Sequence, residues 1–213
     1  MSPASDTRSG ARSKKAIGRW LVKAAGDPDI ALKDWDEDRP TMLPAGGRFD
    51  AVKLLPPLVH AATASTVPAQ VCAALPELLD GPVICHPGVW YYALVPAGTT
   101  ETWRSPHGQV LGRGAWIGTP RPDLVTPRPL LPYWAAPPRK AGHLCDADAV
   151  ADLLQAGAKR LEPPVTCGAV PGQVGASGGL RVVQRRLALR NGPGPARDGT
   201  EGPRWSTSSL TVR

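Results

Sequence analysis

The sequence predicts an α+β fold, with a small, mostly antiparallel sheet, helices on one face of it, and disordered basic termini. Three observations lead there. Residues 81–119 alternate short β-branched and aromatic runs with Pro-Gly, Ala-Gly and His-Gly breaks, which is the pattern of a meander of short antiparallel strands. Apolar residues recur at helical spacing near 14–25, 67–79 and 146–157. From residue 163 onward that periodicity is gone, and Gly, Pro and Arg dominate. The expected organisation is a disordered basic lead at 1–15, a helical extension at 16–40, an α+β core at 41–162 and a basic Gly/Pro-rich tail at 163–213.

Taken in order, Ser13 is placed to cap a helix over 14–25, with Ile17, Trp20, Leu21 and Ala24 on one face. Asp27-Pro28 pairs a cap with a proline at the first helical position and predicts a second helix to about Asp34–Glu37. Acidic residues at that helix's C-terminal end oppose its dipole and predict fraying, and Arg39-Pro40 stops it. Residues 42–55 read as one strand entered through Gly46-Gly47 and closed by Pro56-Pro57. Helices are expected near 58–64 and over 67–79, the second with Val71, Leu75, Leu78 and Leu79 buried and with Pro76 kinking or restarting it. Strands are expected at about 82–86, 89–95, 108–112 and 115–119, turning at Pro87-Gly88 and at Gly112-Arg113-Gly114. The proline-rich segment 120–140 reads as extended coil anchored by Tyr133 and Trp134. Asp146 caps a last helix, and Gly157 stops it.

Composition bounds the chemistry. One Phe and three Tyr stand against seven Trp, so the core is expected to be small and built from Ala, Val and Leu. The net charge of +7 is unevenly spread. Residues 41–162 hold ten basic and nine acidic residues, whereas 163–213 hold seven basic and two acidic. Arg181, Arg185, Arg186 and Arg190 form the densest basic cluster. It reads either as a non-specific contact to DNA phosphates or as a solvated tail. No stretch reaches the roughly 18 apolar residues of a membrane-spanning helix, the N-terminus has no apolar signal region, and the cysteines at 72, 85, 145 and 167 lack CxxC spacing. The expectation is a cytoplasmic protein with free thiols, not inserted in a membrane.

Catalytic patterns are weak. Two-metal nucleotidyl transfer needs carboxylates converging from adjacent strands, and the strands at 83–86 and 89–95 contain none. Asp50 is the only acid beside a strand start. Cys85-His86 and His143-x-Cys145 offer four zinc-type ligands, but adjacent strand residues point to opposite faces, so no metal is expected. No G-x-S-x-G elbow occurs, and no cofactor motif. Trp90, Trp103, Trp116 and Trp134, with Arg104 and Arg113 nearby, are either stacking platforms for single-stranded nucleic acid or core residues.

The order of pieces resembles a family. Pro-Ala-Gly-Gly-Arg-Phe-Asp-Ala-Val (44–52) is followed by Gly-Pro-Val-Ile (81–84), then by Ala-Leu-Val-Pro-Ala-Gly-Thr (93–99) with Trp103. Val-Leu-Gly (110–112), Trp-Ile-Gly-Thr-Pro (116–120) and Cys-Asp-Ala-Asp-Ala-Val-Ala-Asp-Leu-Leu (145–154) complete it. Over about 44–157 this is similar to small proteins of actinomycete plasmids and mobile elements that resemble the N-terminal part of bifunctional DNA primase/polymerases. The family's catalytic acidic pair has no matching positions. The resemblance therefore implies an inactive primase/polymerase-like fold serving plasmid transfer, spread or replication as a non-enzymatic accessory protein. DNA, or a transfer or replication protein, is the expected partner. The alternatives are a degenerate nucleotidyltransferase and a protein–protein adaptor using 120–140.

Overall fold

Hairpin signals govern only the middle of the sheet. In a computed structural model that describes residues 4–162, strands β2 (Asp50–Leu54), β3 (Val83–His86), β4 (Trp90–Val95), β5 (Gln109–Leu111) and β7 (Tyr133–Ala136) form one sheet. Its order is β5-β2-β4-β3-β7, and every pairing is antiparallel. Only β3 and β4 are joined as the expected hairpin, through Pro87-Gly88, where Gly88 takes φ +72°. The remainder of the expected meander is corrected. β5 pairs with β2, and β6 (Trp116–Thr119) leaves the sheet to pair with β1 (Thr41–Pro44) in a separate two-stranded ribbon. The single strand expected at 42–55 is thus two strands in two sheets. The extended coil expected at 120–140 supplies the edge strand β7, whose Tyr133 and Trp134 are buried as anchors.

The α+β class holds, and side-chain alternation along the strands divides the interior in two. Val52, Leu54, Val83, Cys85, Ala93 and Val95 face a cluster built with α3 (Pro56–Thr63), α4 (Pro68–Leu78) and α6 (Ala147–Leu161). Ala51, Ile84 and Leu94 face a second cluster made with α1 (Ala4–Val22), α2 (Pro28–Asp36) and the inner residues Leu43 and Ile117 of the ribbon. Three helices lie on one face as expected, and the other face is covered as well. Positions 4–162 therefore pack as one unit, and the boundaries expected at 15/16 and 40/41 fall inside it.

Local corrections follow from packing. Helix α1 begins at Ala4 instead of at a Ser13 cap, and the Ser13 hydroxyl donates to the Arg139 carbonyl at 3.2 Å. In α2, Asp27 caps as expected, its carboxylate accepting from the Asp29 and Ile30 N–H groups. Of the acids at its far end, Asp34 and Glu37 are held by Arg39, Glu37 also by Lys33, and Asp38 by Arg128. Helix α4 runs through Pro76, which lies in its last turn, and Leu78 is 48% exposed instead of buried. Gly157 does not stop α6. A Cβ there would stand 2.2 Å from the Leu58 carbonyl oxygen, so glycine is what lets α3 cross α6 so closely.

Candidate nucleic-acid interface

Helix α1 buries Ile17, Leu21 and Val22 and turns a row of cations outward. Arg12, Lys15, Arg19 and Lys23 fall at i, i+3, i+7 and i+11, which sets them within about 80° of one another over a length of roughly 16 Å. Between Thr7 and Gly26 there is no acidic residue. The last two cations also lie where the helix's own C-terminal carbonyls favour positive charge, which accounts for part of their placement.

The row leads to a place where two glycine loops touch. Because β6 pairs with β1, the Gly112–Gly114 loop is carried against the Pro44–Gly47 turn. Gly46 has φ +86°, and a Cβ on it would lie 2.4 Å from the Arg113 backbone nitrogen, so only glycine fits. Ala45 donates to the Ala115 carbonyl at 2.9 Å and closes the contact. Beside it opens a cavity of about 360 Å³ lined by Lys23, Ala24, Pro44, Ala45, Gly46, Gly47, Arg48 and Arg113. Three of those residues are cations and none is acidic. One to two turns back along α1, Lys14, Lys15 and Arg19 line a second cavity of about 560 Å³ with Trp35, Arg121 and Asp123.

Some cations elsewhere are paired with acids, while Lys14, Lys53, Arg104, Lys140, Lys159 and Arg160 share with this seam the lack of a carboxylate within 4.0 Å among the described residues, so it is the clustering of unpaired charge that marks the seam. Lys33, Arg39, Arg121, Arg128 and Arg139 each lie within 4.0 Å of a carboxylate. Among the described residues, no carboxylate comes that close to Arg12, Lys15, Arg19, Lys23, Arg48 or Arg113. An unneutralised row of charge suits a polyanion better than it suits the fold's own stability.

Sequence reasoning found one member of this set, Arg113. Arg104 stands apart from it, donating to the Glu101 and Trp103 carbonyls at 2.9 Å each, at the end of the short helix α5 (Thr99–Thr102). Arg181, Arg185, Arg186 and Arg190 lie outside the described residues. Of the tryptophans, Trp134 is buried, and its indole N–H donates to the Arg121 carbonyl. Trp103 donates to the Gly108 carbonyl, and Trp90 carries the Lys53 ammonium 3.4 Å above its ring centroid. Trp116 alone of these four is 56% exposed. Arg12, Lys15, Arg19, Lys23 and Arg48 were missed. The signal for the first four was the acid-free run 7–26, which a division at residue 15 cuts in two.

Other chemistries are less well served. Asp50 is fully buried, and its Oδ2 accepts from the Gly98 and Thr100 N–H groups at 3.0 and 3.2 Å, while Oδ1 has no partner. It holds the 98–100 turn against β2. Cys85 lines a cavity of about 320 Å³ with His60, Tyr91 and Tyr133. Burial pushes its thiol pKa up despite the hydrogen bonds of Tyr133 and Tyr91, the opposite of what a nucleophilic cysteine needs. Burial likewise lowers His60, whose Nε2 is 3.3 Å from the Tyr91 hydroxyl, and raises Cys145 to about 12. The four zinc-type ligands are dispersed. Cys85 faces the α3–α4–α6 core, His86 donates Nε2–H to the Gly118 carbonyl at 2.8 Å, Cys145 bonds the Pro82 carbonyl, and His143 faces Asp80. Among the described residues, no three His, Cys, Asp or Glu side chains converge as a ligand set.

No family model, curated protein or solved structure matches the chain. Among the described residues, no single helix is long and apolar enough to cross a membrane.

Proposed function

We propose that this protein is a non-enzymatic DNA-binding accessory factor that holds the phosphate backbone along the seam from Arg12 to Arg113. The observation that carries the reading is the clustering of six cations that have no carboxylate within 4.0 Å among the described residues, three in register on α1, Lys23 just past its end and two at the joined glycine loops. Arg181, Arg185, Arg186 and Arg190 add further phosphate affinity from the tail. The resemblance of residues 44–157 to primase/polymerase N-terminal segments supplies the setting, which is the transfer, spread or replication of a plasmid or mobile element in the cytoplasm. The commitment of Asp50 to two backbone N–H groups, and the raised Cys85 thiol, favour holding over turnover.

The test is fluorescence anisotropy of labelled DNA against the full chain at increasing salt. Binding that weakens log-linearly with salt is expected. Salt-insensitive binding, or none, would refute the reading, and primer synthesis from nucleotides with Mg²⁺ or Mn²⁺ would refute its non-enzymatic part.

A further inference from the structure

On the outer face of the β1–β6 ribbon, Pro44 stands opposite Trp116 and Met42 opposite Gly118. Period-two alternation puts all four on one side, with Leu43 and Ile117 turned into the core. An outward ribbon face is ordinarily polar. Here Met42 is 51% and Trp116 56% exposed, and nothing in the core explains either. The shelf continues inward. The His86 imidazole lies over Gly118, its Cε1 3.0 Å from where a Cβ would stand, and it meets the half-buried Tyr92 ring edge-on at 5.2 Å. A side chain at 118 would displace the imidazole. The shelf adjoins the cationic cavity directly, because Pro44 belongs to both and Arg113 precedes Trp116 by three residues.

From this we infer that the occupant is an unpaired nucleic-acid strand, with a base stacked on Trp116 and the adjoining phosphates held by Arg113, Arg48 and Lys23. The inference rests on the phosphate-binding reading of the seam and names its substrate class. A duplex hides its base faces and offers such a shelf nothing to stack on. A single strand exposes a π-face at every nucleotide next to its charge. An uncharged protein partner would cover the indole but leave the three cations unneutralised, and charge complementarity decides between the two occupants.

The experiment compares three labelled probes of equal length on the full chain, which are oligo-dT, an abasic strand with the same phosphates, and a duplex. Oligo-dT is expected to bind tightest. Trp116→Ala should weaken oligo-dT by about 5- to 150-fold, the worth of one stacked base, leaving the abasic strand and the duplex unchanged. Trp116→Phe should restore most of the loss, and because Trp116 is largely exposed, the thermal midpoints of both variants should match the parent. Equal binding of oligo-dT and the abasic strand, or a Trp116→Ala variant indistinguishable from the parent, would overturn the inference while leaving the phosphate seam standing. Failure of all three probes to bind would remove the seam reading, and this inference with it.

Discussion

Neutralising Lys23, Arg48 and Arg113 together should lower the salt dependence of DNA binding by an amount that can be worked out beforehand. Glutamine at each site keeps most of the stem and removes the charge. If all six cations of the seam meet phosphates of a single strand, counterion release gives a slope of about −4 in log affinity against log salt, and roughly 300-fold weaker binding on going from about 50 to 200 mM. Removing three contacts should bring the seam's share to a slope of about −2, and that loss to roughly 20-fold. Any contribution from the tail adds to both proteins alike, so the difference between the slopes, about 2, is the diagnostic quantity. The assay is anisotropy of labelled oligo-dT at several salt concentrations, with Arg139→Gln as a control. Arg139 already faces Asp80 at 3.0 Å and should leave the slope unchanged. If the triple variant keeps the parental slope while deletion of 163–213 abolishes it, the folded domain does not contact DNA and the reasoning from unpaired charge fails.

Three further outcomes test the fold that positions the seam. Gly157→Ala places a methyl 2.2 Å from the Leu58 carbonyl oxygen, so α3 must move, and the overpacking cost of about 1–3 kcal/mol should exceed the roughly 1 kcal/mol gained in helix propensity. A urea midpoint that rises would contradict the close crossing of α3 and α6. Asp50→Ala leaves the Gly98 and Thr100 N–H groups without their acceptor and should cost about 1–3 kcal/mol in urea unfolding, whereas a neutral result would mean that the buried carboxylate is not what ties the 98–100 turn to β2. Burial lowers the pKa values of His86 and His60 below 6.5 in the folded state, so the unfolded chain binds more protons as the pH falls through 6.5 toward the folded values. Stability should therefore be full above pH 6.5 and decline on acidification below it, and His60→Gln with His86→Gln should flatten that decline in thermal melts.

How much of this was legible in the sequence differs by element. Signals that act within a few residues were readable. Asp27 and Asp146 cap α2 and α6, Pro87-Gly88 turns the one true hairpin, and Val71, Leu75, Val150 and Leu154 face the core at helical spacing. Strand partners were not readable. Gly112-Arg113-Gly114 looks like a hairpin turn, but Trp116–Thr119 reaches past its neighbour to Thr41–Pro44, and only the filling of a second core by Leu43, Ile117 and Phe49 decides that. Gly157 carries the sequence mark of a helix stop, and its real work, the approach of a second backbone, depends on a residue 99 positions away. The candidate site was hidden for the same reason. Lys23, Arg48 and Arg113 are each unremarkable alone, and their charges sum only after folding.

The route by which they meet is itself an argument for the seam. Had β5 and β6 closed as a hairpin, the β1–β6 pairing that carries Arg113 to Gly46 would be lost. Crossing to β1 instead brings the Arg113 backbone so close to Gly46 that no side chain fits there, while Gly46 adopts a positive φ. Gly46→Ala tests whether that contact builds the cavity. With the Cβ 2.4 Å from the Arg113 nitrogen and the backbone in the left-handed region, one loop has to swing out. If the touching loops assemble the charge, the variant should lose DNA affinity beyond its loss of stability, with a salt slope smaller by about 1 as Arg113 leaves the set. A variant that is merely less stable, with an unaltered slope where it remains folded, would mean that Arg113 finds phosphates from any loop position and that the close packing of the glycines serves the ribbon alone.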